Sequence, residues 1–320
     1  MTLNMVRKIV CAALSLTVCL GLFFYPARPA AASDEALSSG AAAFASGDYS
    51  VALQKFTQAI ESSPELGYSN RCLVQLQVSH YRAAVSDCLA ALALNSHSSE
   101  ALLNLGLAYH RLGSYDQALE SYRQLLEIAP NDYRAYYNLG LTEVALGNYT
   151  QAVASYTQAL EHLSAPSPSL AAVYRGRGVA YMLLAADSRA IADLNAAVRH
   201  NPNDAWTYFN RGCAYYRSGQ LLPALQDFSW VIAQDKENAR AHLNQGLVYV
   251  RLGQTDLAVY SLQQAARYFQ ATDETAWTQE TKQLLERFQS GHQHSLFSDY
   301  LPRLALAISW AWLPRSLLGA

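Results

Sequence analysis

Residues Ser99 to Asp132, SEALLNLGLAYHRLGSYDQALESYRQLLEIAPND, hold the pattern that decides the fold. Numbered from 1, the stretch has Gly106 at position 8, Tyr109 at 11, Gly113 at 15, Tyr115 at 17, Ala118 at 20, Tyr122 at 24 and Pro130 at 32. Gly at 8 and Ala at 20 remove bulk where two helices must approach closely, and the tyrosines at 11 and 24 fill the space beside them. The pattern recurs along the chain. Alanines equivalent to Ala118 stand at Ala52, Ala84, Ala152, Ala190, Ala224 and Ala258, and the seven positions are spaced 32, 34, 34, 38, 34 and 34 residues apart. The short spacing is a trimmed connection after Pro64, and the long one holds Ser164-Ala165-Pro166-Ser167-Pro168-Ser169. Self-similarity at such a period marks a repeat architecture.

These positions closely resemble the tetratricopeptide repeat, a 34-residue unit of two antiparallel helices, over about three quarters of the chain. The resemblance implies an all-α, right-handed solenoid of seven hairpins, at 33–64, 65–98, 99–132, 133–170, 171–204, 205–238 and 239–272. Gly113, Gly147, Gly219 and Gly253 at position 15 suit the left-handed end of each first helix. Pro64, Pro130 and Pro202 fall at position 32, where the second helix should stop, and Pro223 falls in the first turn of a second helix. Some copies depart from the pattern. Repeat two has Cys72, Gln75 and Cys88 in place of Gly, Tyr and a large apolar residue; repeat five has Asp187 in place of Tyr; repeat one is rich in small residues.

Both ends carry further signals. Arg7 and Lys8, an uncharged apolar run from Ile9 to Tyr25 and Ala30-Ala31-Ala32 have the order of a secretory signal peptide over 1–32, with an uncleaved membrane anchor as the competing reading. Either places the remainder outside the cytoplasm, in a periplasm or a thylakoid lumen, because signal and repeats together resemble bacterial, including cyanobacterial, chains. After the last repeat, Thr272-Asp273-Glu274 offers a cap, and Trp277, Thr281, Leu284, Leu285 and Phe288 share one helix face. A helix over 273–290 is therefore expected to cover the exposed end of the array. The 291–320 tail contains LALAISWAWL at Leu304–Leu313, which at about 15 Å as a helix is too short to cross a bilayer. It is read as a segment folded back on an apolar end or as an interfacial element.

The family resemblance puts positions 2, 5, 9, 12 and 13 of each first helix on a concave, partner-binding side. Leu103, Tyr137 and Phe209 stand at position 5, Leu107, Leu141 and Cys213 at position 9, and Tyr216 and Arg217 at positions 12 and 13. Asn70, Asn104, Asn138, Asn210 and Asn244 recur at position 6. They resemble the asparagine ladder of sugar-transferring enzymes with such repeats, which would bond a peptide backbone; the alternative is bonding within each repeat. The cationic clamp of co-chaperone domains is not matched, since Glu100 and Leu103 occupy two of its places. Within Phe209–Gly219, FNRGCAYYRSG, arginines flank Cys213 and suggest a nucleophile. The repeat register makes it a small, accessible residue lining the groove, two turns from the helix start.

Composition excludes several functions. With 51% hydrophobic residues the chain can build a continuous core, and a net charge of −2 argues against a nucleic-acid partner. The hairpins leave no room for a catalytic domain. No phosphate-binding loop, dinucleotide fingerprint or nucleophile elbow is present, and His292 and His294 lack a third ligand nearby, so no cofactor and no metal are expected. Cys72 and Cys88 fall on facing sides of one hairpin, where export would permit a disulfide. The sequence therefore reads as an exported, non-enzymatic scaffold for a protein or peptide partner. The alternatives are a membrane-tethered structural subunit, held by its N-terminal segment or its tail, and a non-catalytic regulatory subunit.

Overall fold

The computed structural model describes residues 35–163 and 167–290. Residues 1–34, where the signal-peptide call falls, part of the insertion and the 291–320 tail, with His292 and His294, lie outside the described residues. Among those described there are fifteen α-helices and no strands. They fall into two compact units, divided along the chain between Val173 and Tyr174.

The first unit contains α1 (Glu35–Ala45), α2 (Tyr49–Ser62), α3 (Pro64–Gln77), α4 (Tyr81–Leu94), α5 (Ser99–Arg111), α6 (Tyr115–Ile128), α7 (Tyr133–Ala145) and α8 (Tyr149–His162). Helix α9 (Ser169–Leu183) straddles the division. The second unit continues with α10 (Asp187–His200), α11 (Ala205–Arg217), α12 (Leu221–Gln234), α13 (Ala239–Arg251), α14 (Thr255–Ala271) and α15 (Thr275–Gln289). From α1 to α8, and again from α10 to α15, each helix packs on the next. First helices of successive hairpins also touch, as α3 does α5, α5 does α7 and α11 does α13. The fold class is thus all-α, built by serial stacking of helical hairpins.

Within a hairpin the position-8 glycine meets the large residue at position 24. A Cβ added at Gly106 would lie 2.4 Å from the Tyr122 ring, and one at Gly212 2.8 Å from the Phe228 ring. Only a bare backbone lets α5 lie so close to α6, or α11 to α12. The turn between paired helices needs a left-handed residue, and its glycines have φ of 70–80°. Where glycine is missing the backbone adopts the same state: Ser79 and Ala185 stand at φ 63° and 57°. The bond from Ala186 N–H to the Tyr181 carbonyl (2.9 Å) closes this turn as that from Ser114 N–H to Tyr109 does (2.9 Å).

Three features differ from expectation. Pro64 opens α3 rather than ending α2, because Ser63 ends one helix and caps the other and the proline takes the first helical position, where no N–H is needed. Thr272 does not cap the last helix; its hydroxyl donates back to the Tyr268 carbonyl (3.1 Å), and Glu274 stands at the N-cap. Asp273 supplies the left-handed residue between them, at φ 58°. The face of α15 with Thr281, Leu284 and Phe288 is buried as the pattern requires.

The third feature is a set of buried ion pairs. Arg71, Arg177 and Arg211, all at position 7, each grip an aspartate at position 23 of the same hairpin through two hydrogen bonds. Arg71 Nε and Nη2 donate to Asp87 at 2.6 and 2.6 Å, Arg177 to Asp193 at 2.7 and 2.9 Å, and Arg211 to Asp227 at 2.8 and 2.7 Å. The carboxylate side chains are 6%, 9% and 5% exposed. Each guanidinium also lies over the tyrosine at position 4 of its own helix, Tyr68, Tyr174 or Tyr208. Burial pushes the Asp227 carboxyl up while Arg211 pulls it down. Repeats three and four fill the same two positions with Leu105 and Ser121, and with Leu139 and Ser155. Repeat seven uses Gln245 and Ser261, bonded at 3.0 Å, so the ion pair is one of several solutions to the same packing problem.

Candidate interaction surface

In the first unit, α3, α5 and α7 lie side by side in one register. Leu73, Leu107 and Leu141, all at position 9, are half-buried, and so is Tyr137 at position 5 of α7, whose ring centroid lies 5.8 Å from that of Tyr156. Leu103 at position 5 of α5 is buried, as are Leu102 and Leu105. An apolar strip three helices wide therefore keeps partial access to solvent. Leu73 was not among the residues expected here; copy two departs so far from the pattern at Cys72 and Gln75 that its neighbour escapes notice, although its register reveals it.

The equivalent side chains of the second unit are spent on the core, which corrects the groove assignment there. Phe209 is 0% exposed, its ring centroid 5.6 Å from that of Phe228. Cys213 is 5% exposed and belongs to the same cluster, with Tyr216. The thiol is neither accessible nor activated, and burial pushes it well above the ordinary thiol range. Arg217 is a joint rather than a contact: its Nη1 donates to the Met182 carbonyl (2.8 Å) and its Nη2 lies 3.3 Å from Asp187. Arg251 repeats the first of these bonds on the Tyr216 carbonyl (2.8 Å), so position 13 binds one first helix to the end of the previous one.

The asparagine series follows the within-repeat alternative. The Asn70, Asn138, Asn210 and Asn244 amides donate to carbonyls four residues earlier, those of Leu66 (2.9 Å), Arg134 (2.8 Å), Trp206 (2.8 Å) and Arg240 (3.2 Å). Asn104, Asn138, Asn210 and Asn244 are buried. An amide folded along its own helix supports that helix and does not stand up as a rung for another chain.

A buried polar joint lies beside the leucine strip. Thr142 Oγ1 donates to the Asn138 carbonyl (2.8 Å), so it must accept from His110 Nδ1 (3.0 Å), which fixes the histidine tautomer. His110 is 3% exposed and its Nε2 has no partner. Burial first, and then the Arg111 charge, lowers its pKa to about 4, so it is neutral at physiological pH. Cys72 and Cys88 are both buried, with their Cα atoms 5.5 Å apart and their sulfurs at bonding distance. Among the described residues no three metal-ligating side chains cluster, and no helix is long and apolar enough to cross a membrane.

A serial array of antiparallel hairpins, six of them closed by a position-8 glycine against a position-24 side chain, defines the class of α-helical repeat proteins. Two family models, both described as tetratricopeptide repeat, match residues 98–165 in one case and 137–205 and 209–274 in the other, together more than half of the chain. The chain belongs to the tetratricopeptide repeat family, whose members typically mediate protein–protein interactions. It is similar to heat shock protein STI1 of Saccharomyces cerevisiae, with 33% identity over 99 residues, which are 30% of this chain and 17% of that protein. The chain spans only 10% to 30% of the lengths of the curated relatives it matches. Among solved structures it is similar to a tetratricopeptide repeat protein from Parabacteroides merdae, with TM-score 0.58 and 21% identity over 80% of this chain and 98% of the other. It is also similar to YrrB, described as a TPR protein with an unusual peptide-binding site, with TM-score 0.51 and 23% identity over 61% and 97%. At these identities the structures share the fold.

Proposed function

We propose that this chain is a non-enzymatic adaptor outside the cytoplasm, and that it holds an apolar segment of a partner protein against α3, α5 and α7. The observation that carries this reading is the strip of Leu73, Leu107, Tyr137 and Leu141, apolar and half-exposed at matching positions of adjacent first helices. Such a strip favours burial of a partner's apolar side chains. The Glu100 carboxylate beside it is paired with Arg134 (2.7 Å), so a peptide carboxylate gains no unpaired cation there. Export is supported by the order of residues 1–32 and by the Cys72–Cys88 pair, which suits an oxidising compartment.

Crosslinking capture with the intact chain, beside Leu107→Lys plus Leu141→Lys, tests the site. The double variant should keep its helical content and lose the captured partner, whereas Leu222→Lys, at a 65% exposed leucine on α12, should retain it. Capture of the same partner by the double variant refutes the assignment. Intact mass tests the setting separately: a soluble chain beginning at Ser33 agrees with export, and an uncleaved Met1 in the membrane fraction supports tethering instead.

A further inference from the structure

Six of the seven hairpins close in the same way, with glycine at position 8 under a large side chain at position 24: Gly40 under Phe56, Gly106 under Tyr122, Gly140 under Tyr156, Gly178 under Leu194, Gly212 under Phe228 and Gly246 under Leu262. The α3–α4 hairpin alone substitutes two cysteines, and they are bonded across this contact. The bond takes the place of a packed ring. Broken, it would leave two small thiols where every other hairpin has a side chain of leucine size or larger, in a site with no exposure to water. An under-filled contact of that kind loosens the helices that make it.

The neighbouring contacts localise the consequence. The first hairpin is the weakest in side-chain bulk: α1 reads EALSSGAAAFA and buries only Gly40 and Ala43. Beyond itself it packs on α3, through a cluster of Ala43, Ala52 and Phe56 with Val74. On the other side α4 packs on α5, where Leu105 and Ala108 close the cluster around Cys72 and Cys88. Among the described residues helix α3 is therefore the only broad seat of the first hairpin, and its geometry relative to α4 depends on the bonded cysteines and on the Arg71–Asp87 pair.

We propose that the Cys72–Cys88 bond is a redox latch on the N-terminal end of the array. Oxidised, it holds α3 in register as the seat for α1 and α2. Reduced, it lets α3 and α4 loosen and the first hairpin leave its seat, while α5 to α8 stay folded. The reductant is a dithiol. One of its thiolates attacks a protein sulfur to give a mixed disulfide, and its second thiol closes on the first, so that the reductant departs as a cyclic disulfide. Two electrons and two protons pass to the protein, leaving Cys72 and Cys88 as thiols. Because both sulfurs are buried, attack must wait for the hairpin to open, which makes the latch slow to release in the folded protein.

Hydrogen exchange on the intact chain, read by mass spectrometry with and without dithiothreitol, tests this. Reduction should lower amide protection across residues 35–94 by about tenfold or more while leaving α5 to α8 unchanged. The variant Cys72→Gly with Cys88→Tyr, which installs the packing of repeats three and four, should stay protected whether or not the dithiol is present. Unchanged protection of residues 35–94 in the reduced wild-type chain overturns the proposal. So does an equal loss across α5 to α8, or an intact mass showing that the purified, unreduced chain has no bond between these cysteines.

Discussion

Ala185 sits between α9 and α10 at φ 57°, the place occupied by Gly219, at φ 80°, one hairpin later. A residue with a Cβ in this left-handed region carries about 1–2 kcal/mol of strain relative to glycine. Introducing glycine also widens the unfolded ensemble, which offsets about 0.4–1 kcal/mol. Ala185→Gly should therefore stabilise by about 0.7 kcal/mol. Gly219→Ala is the mirror experiment: no atom lies within 4 Å of the added Cβ, so the backbone strain acts alone and the variant should lose about the same amount. With a urea m-value of about 2 kcal/mol/M, each shift is about 0.3 M in midpoint, in opposite directions and at constant m. Urea unfolding followed by circular dichroism measures both. A lowered midpoint for Ala185→Gly, or shifts of the same sign in the two variants, would refute the claim that position 15 is governed by backbone conformation.

Two further outcomes follow from the buried polar groups. Asp227→Ala removes the two carboxylate bonds of Arg211, leaving it that to Asn195 (2.9 Å), in a site where the carboxylate was 5% exposed, and should cost about 2 kcal/mol, between the values typical of exposed and fully buried pairs. Arg211→Leu with Asp227→Ser, which copies repeats three and four, should recover most of it; a double variant no more stable than Asp227→Ala in urea contradicts the exchangeability of these two solutions. His110 has its folded pKa lowered to about 4 against about 6.5 when unfolded, so the unfolded chain binds the extra proton. Its contribution is complete above pH 6.5 and declines as the pH falls through that window toward 4, by about 3 kcal/mol in all. Arg111 is the charge that faces it, with the Tyr115 ring and the Thr142 hydroxyl as its neutral neighbours. The gap in urea midpoint between wild type and His110→Gln should narrow or reverse between pH 7 and pH 4.5; a pH-independent gap argues against it.

The hairpin was legible from the sequence because it follows from omitted bulk: Gly106 under Tyr122, Ala118 against α5 and the left-handed Gly113 each serve a backbone requirement that only a few residue types meet. The contact surface was less legible, since register assigns a side chain to a helix face but not its final burial. Phe209 and Tyr137 share position 5, and Cys213 and Leu107 share position 9, yet Phe209 is buried against Phe228 and Cys213 joined the core while Tyr137 and Leu107 stayed half-buried. The asparagines left both the ladder and the within-repeat alternative open because a bond to a carbonyl four residues back leaves no trace in a pattern of residue types. The Arg–Asp pairs did leave one. Arginine at position 7 accompanies aspartate at position 23 in Arg71/Asp87, Arg177/Asp193 and Arg211/Asp227, while neither occurs in repeats three and four. Comparing the copies with one another, rather than with the family pattern, would have revealed it.

The closure of these pairs inside single hairpins bears on how the chain can change length. Arg211 and Asp227 lie sixteen residues apart within one 34-residue unit, so the duplication or excision of a whole hairpin carries both charges together and strands neither. Two of the joints between hairpins run to the backbone instead. Arg251 binds the carbonyl of Tyr216 and Arg217 that of Met182, each 35 residues away, and any residue at position 12 offers the same carbonyl. Removal of residues 205–238 would bring Arg251 to the carbonyl of Met182. A splice at the period therefore keeps the Arg–Asp pairs and the backbone joints, whereas a side-chain joint such as His110–Thr142 survives only where both of its hairpins are kept.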